Sequence, residues 1–115
     1  MYRDLGLEIL TDDNTGEASG RQYHTDIGPI DFLCKNKKTG GLTVIELKRD
    51  KASDSVIGQL HRYMGWIMEK EAKGKPVDGL IICQEADERL KYSLKATQNI
   101  RYYQYRMSFE LKEGD

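Results

Sequence analysis

Two apolar runs, Ile30 to Cys34 and Leu42 to Leu47, enclose a polar stretch that contains Gly40 and Gly41. Such runs, bounded by turn residues, pair as strands of a hairpin. Side chains alternate between the faces of a strand, so residues set opposite each other must share a face. Ile30, Phe32 and Cys34 form one row, and Thr43, Ile45 and Leu47 form the other. Pairing Ile30 with Leu47, Phe32 with Ile45 and Cys34 with Thr43 makes one apolar sheet face. A slip by one residue would destroy that match, so the pattern fixes the register. The same register sets Asp31 opposite Glu46 on the other face, with Lys48 diagonal to Asp31. Like charges facing each other across strands repel. A hard divalent cation such as Mg²⁺ between the carboxylates would relieve that repulsion. A solvated face with a surface salt bridge is the plainer account, and spacing alone leaves both open.

A chain of 115 residues is the size of one small domain. Its hydrophobic share of 38% against 32% charged residues allows a modest core. The net charge of −1 excludes a global basic field toward nucleic acid or anionic membrane, so any polyanion site must be local. Lys35, Lys37, Lys38, Lys48, Arg49 and Lys51 crowd the hairpin and its exit, where they also serve simply to keep the tip soluble. Cys34 and Cys83 sit in apolar runs with no second pair, which argues for buried free thiols in a reducing compartment and against zinc. No stretch reaches membrane-spanning length and the start lacks a signal-peptide pattern, so a cytoplasmic protein with no membrane partner is expected.

Met1 to Leu10 reads as the end of a helix or a short strand, Thr11 to Gly20 as a loop, and Arg21 to Asp26 as a first strand. After the hairpin, Ser53-Asp54-Ser55 offers N-cap chemistry for a helix running to about Ala72, with Val56, Leu60, Met64 and Ile67 as its buried stripe. Gly74 and Pro76 stop it. Val77 to Cys83 is an apolar strand, Glu85 to Ala96 a second helix, and Ile100 to Leu111 a last strand whose alternating Tyr103, Tyr105, Met107, Phe109 and Leu111 predict one buried face. This order predicts an α/β domain with a mixed sheet. Gln59 and Tyr63 stand four apart, on one face of the first long helix beside the stripe. They could bond to the hairpin carboxylates or to a phosphate; equally, Tyr63 is a core-edge aromatic and Gln59 is solvated. His24 reads as a polar strand-end residue rather than a general base, and Trp66 as packing rather than a base-stacking platform.

Taken in order, Asp31, then Glu46-Leu47-Lys48, then Gln59-x-x-x-Tyr63 resemble the active site of PD-(D/E)XK nucleases that carry a QxxxY motif. The stretches Arg21 to Leu33, Val44 to Arg49 and Val56 to Trp66 resemble the C-terminal nuclease domain of the NucS/EndoMS endonucleases, and the likeness runs from about Leu5 to Leu111. The resemblance implies a restriction-endonuclease-like mixed β-sheet flanked by helices, one nuclease-like domain over residues 1–115, and hydrolysis of DNA phosphodiesters with Mg²⁺ or Mn²⁺, in the service of DNA repair. It implies that Asp31, Glu46 and the Leu47 backbone carbonyl bind metal. Lys48 would orient the attacking water and offset developing charge, and Gln59 and Tyr63 would support the site. Arg21, Arg49 and Lys51 are the candidates for contact with the DNA backbone. The relatives have a preceding helix with a further acidic residue, and often a separate N-terminal domain that binds DNA or dimerises. This chain starts after that helix, so a truncated N-terminal helix is expected, with a homodimer or an absent N-terminal domain left open. Thr11 to Ser19 also looks longer than its counterpart. The competing readings are a DNA-binding module of the same fold without turnover, and an interaction domain with a merely solvated charged face.

Overall fold

The computed structural model describes residues 5–11, 19–106 and 111–114. Its order is β1 (Leu7–Ile9), β2 (Arg21–Thr25), β3 (Gly28–Asn36), β4 (Leu42–Ala52), α1 (Ser55–Lys70), β5 (Val77–Ala86), α2 (Glu88–Lys95) and β6 (Ile100–Gln104). Among the described residues the strands form one mixed six-stranded sheet, β1-β3-β4-β5-β6, with β2 also on β3. The β3–β4 pair is antiparallel, whereas β4–β5 and β5–β6 are parallel, as helical crossovers require. One edge of β3 serves two strands in succession. β2 pairs with its start and β1 with its end, and the handover is stitched by backbone bonds from Leu10 N to Leu33 O and from Leu33 N to Gly20 O.

Strand alternation sorts the core. Leu33, Val44, Ile81 and Cys83 point to the face covered by both helices, where Val56, Leu60, Met64, Ile67 and Leu90 meet them. Phe32, Cys34, Ile45, Leu80 and Ile82 point to the opposite face and pack with Leu7. Gly79 lets α1 lie close to β5, since a Cβ there would stand 2.9 Å from Met64 Sδ. The expected pairs Phe32–Ile45 and Cys34–Thr43 are present. Ile30 departs from the expected row: it is fully buried in the helix-side core rather than beside Phe32. The β3–β4 ladder runs from Lys35↔Leu42 to Phe32↔Ile45. Beyond Phe32, β3 is paired through β2, where Gln22 has a positive φ of 48° between the pairs Arg21↔Phe32 and Tyr23↔Ile30.

Other boundaries shift for local reasons. α1 makes no side-chain cap at Asp54, and Ser53 and Ser55 bond to each other instead, so the expected cap chemistry is not used. Glu85 and Ala86 continue β5, and the second helix starts after Asp87, whose carboxylate accepts from Leu90 N at 2.8 Å. In β6 the buried phase is the reverse of the expected one: Ile100 is in the core and Tyr102 packs on it, while Tyr103 is exposed. Met107 and Phe109 lie outside the described residues. Both cysteines are buried and free, and burial pushes the Cys34 thiol up to about 11. No described helix is long and apolar enough to cross a membrane.

Candidate active site

The site forms where β3 parts from β4, on the helix-covered face. Asp31 comes from β3, Glu46, Leu47 and Lys48 from β4, and Gln59 and Tyr63 from α1. Asp31 Oδ2 accepts the Leu47 backbone N–H at 2.9 Å, which holds its carboxylate across the gap between the strands. Glu46 is 4% exposed. Its Oε2 is buried without a hydrogen-bond partner, a condition shared among the described residues with Trp66 Nε1 alone. Burial first, then the neighbouring Asp31 carboxyl, push the Glu46 carboxyl up to about 7, with Lys48 opposing. When ionised, both carboxylates only accept hydrogen bonds. They can therefore be joined only by a shared proton or a cation.

Lys48 Nζ donates to Gln59 Oε1 at 3.4 Å, so the β4 cation is tied to the helix through the amide four residues before Tyr63. Tyr63 is buried on α1. Its hydroxyl lies 2.9 Å from the point where a Cβ on Gly28 would stand. One turn further along α1, Trp66 meets Tyr23 of β2 edge to face at 6.5 Å between ring centroids. Burial and a hydrogen bond to the Glu71 carboxylate push the Tyr23 phenol up to about 12.

Arg21 lies exposed opposite Phe32 on β2, and Arg49 and Lys51 lie exposed on β4 just past Lys48. Tyr105 hydroxyl donates to Arg49 O and anchors that exit. Lys37, at the far end of the hairpin, pairs with Glu8 at 3.0 Å. Among the described residues no three His, Cys, Asp or Glu side chains gather as an ion site. What converges is two carboxylates, one of them held by the Leu47 amide, and a lysine. That set suits a hard cation that keeps waters and takes substrate oxygens for its remaining positions, and the orphaned Glu46 oxygen fits such an ion. In the sequence Gly28-Pro29 reads only as punctuation before the hairpin, with nothing to signal that a helix residue will meet Gly28.

Residues 12–114 match the family described as the Endonuclease NucS C-terminal domain. Proteins named Endonuclease NucS are 38% identical over 71 residues in Corynebacterium glutamicum (62% of this chain, 30% of that protein) and 37% identical over 83 residues in Streptomyces coelicolor (68% and 36%). The matched part of the chain thus covers about a third of the length of these relatives. Among solved structures, a repair endonuclease from Pyrococcus abyssi superposes with a TM-score of 0.63 at 26% identity, over 74% of this chain and 36% of that one. A complex of EndoMS with double-stranded DNA superposes at 0.62 with 22% identity, over 76% and 36%, and this likeness speaks to fold alone.

Proposed function

Because this chain belongs to the family of the NucS C-terminal domain, we propose that it is a DNA endonuclease domain of the PD-(D/E)XK type that depends on Mg²⁺ or Mn²⁺. One observation carries this reading: a buried Glu46 with an unpartnered oxygen, beside a second carboxylate and within reach of a tethered lysine. Asp31, Glu46 and the Leu47 carbonyl would hold the ion. Once bound, it supplies a Lewis acid for the phosphoryl oxygen and lowers the pKa of a bound water. The chain's own groups do the rest. Glu46 gives up its proton and Asp31 stays fixed by the Leu47 amide. Lys48, steadied by Gln59, orients the attacking water and offsets charge that develops on the phosphate. Tyr63 supports Gln59 from the same helix face. Arg21, Arg49 and Lys51 are exposed cations that bind the DNA backbone, so affinity falls steeply with salt.

The test is incubation of linear and mismatch-bearing duplexes with Mg²⁺ or Mn²⁺. Cleavage is expected that chelation stops and that Glu46→Ala or Lys48→Ala abolishes. Mn²⁺ should also raise the melting temperature of the wild type and leave Glu46→Ala unmoved, since an ion bound only to the folded state stabilises it. Intact DNA from folded wild-type protein overturns the reading. Salt-sensitive DNA binding without products would instead favour a module that binds and does not cut.

A further inference from the structure

We infer that Gly28 is a positioning residue for Asp31, and that it acts through the phenol of Tyr63. The inference deepens the proposed function and rests on it only for its consequence in catalysis. The geometry starts with the ladders. From Phe32 to Lys35, β3 is held against β4 by backbone pairing. From Gly28 to Phe32, the backbone pairing is to β2, on the other edge. The place of Asp31 relative to Glu46 is therefore set across a seam that the β3–β4 ladder does not close.

Two contacts hold β3 beside that seam, one to β4 and one to α1. Asp31 Oδ2 accepts the Leu47 amide. Three residues earlier, Gly28 receives Tyr63: a Cβ would lie 2.9 Å from the hydroxyl and 3.9 Å from the ring carbon that bears it. The hydroxyl thus occupies the space a side chain would fill, as glycine permits where another group approaches a strand closely. Gly28 itself has a φ of 121°, which L side chains rarely adopt. The turn before it is stiffened by the Thr25 hydroxyl, which accepts from Ile27 N and donates to Gly28 O. The hairpin is braced on α1 again where Tyr23 meets Trp66. A stiff turn seated on a buried helix residue transmits its position along three residues to the carboxylate. Supporting contacts of this kind hold site residues in register.

The first readout is the Leu47 backbone amide in metal-free protein, followed by NMR, with Asp31→Ala as the reference for loss of the acceptor. Gly28→Ala should move the Leu47 resonance toward that reference. Adding Tyr63→Phe removes the atom at 2.9 Å and leaves ordinary contact at 3.9 Å. The double variant should bring the resonance back, with the backbone strain of alanine unchanged in both. Tyr63→Leu empties the seat from the helix side without straining β3, and should also displace the amide if Gly28→Ala folds poorly. In calorimetry, Gly28→Ala should weaken Mn²⁺ binding by roughly tenfold, as changes to groups that support metal ligands do. In cleavage assays it should lower kcat and leave KM for DNA near the wild-type value. A Leu47 amide unmoved in folded Gly28→Ala and in Tyr63→Leu overturns the inference. A displacement that Tyr63→Phe fails to reverse overturns the role of the phenol. A wild type that binds no Mn²⁺ and cuts no DNA, yet shows the reversible Leu47 response, removes the nuclease reading and upholds the positioning role.

Discussion

At the turn end of the β3–β4 pair, Asn36 and Thr43 are buried and bonded; at the open end, Glu46 is just as buried and one of its oxygens has no donor. Asn36 Nδ2 donates to Thr43 Oγ1, and Thr43 donates onward to Asp78 Oδ1 at 2.6 Å. Asn36 Oδ1 accepts the backbone amides of Lys38 and Thr39, which closes the turn. Arg101 completes the chain of contacts at Asp78. A buried polar group normally finds such partners, and leaving one out costs about 1–3 kcal/mol. The two ends share strands, depth and solvent exclusion. They differ in that the fold supplies every partner named at one end and leaves a carboxylate oxygen without one at the other. An unsatisfied buried acid beside a second acid is therefore a stronger functional signal than burial or charge taken singly.

The largest expected effect would separate the two ends outright. Lys48→Met should reduce DNA cleavage by on the order of 10³-fold, in the range seen when a charge-stabilising group is lost from an active site, while the urea midpoint stays within error. An equal loss of cleavage and stability would mean that the open end is structural after all. Next in size, Glu46 makes stability depend on pH. Its folded pKa of about 7 lies above its ordinary value of 4.5, so the native state holds the proton more tightly than the unfolded chain does. Stability without metal should then fall as pH rises from about 4.5 through 7, by on the order of 3 kcal/mol at most. Glu46→Gln should flatten that slope in urea melts at pH 5 and 7.5; a slope that persists in the variant would place the titration elsewhere. At the turn end, Asn36→Ala should lose about 2 kcal/mol by urea denaturation, with cleavage per folded molecule unchanged. The smallest effect lies away from both ends. Asp87→Ala should lose about 1 kcal/mol with its cap, whereas Asp54→Ala, which makes no cap bond, should lose little.

The sequence was most readable where structure is local and periodic. The alternation in 30–34 and 42–47 gave the β3–β4 register, and the 3.6-residue stripe gave the buried face of α1. Asp31 and Glu46 do lie close, as expected, although the ladder stops one pair short of them and the Leu47 amide makes the link. What escaped depends on contacts between distant segments. Nothing near Thr43 signals that its hydroxyl will reach Asp78, 35 positions later. The departure of Ile30 from its row falls where β3 leaves the ladder with β4 and pairs with β2 instead. The tyrosines of β6 alternate in either phase equally well, and the burial of Ile100 against β5 decides between them. The seat on Gly28 needs a helix residue 35 positions away to be visible at all.

Every group gathered at the open end lies between positions 28 and 63, in one unbroken stretch of strand, turn, strand and helix. Closing such short loops takes little entropy, so the proposed site draws all its groups from near neighbours in the chain. Chain can then be added on either flank without disturbing those short connections, which leaves longer relatives room to extend around the same segment.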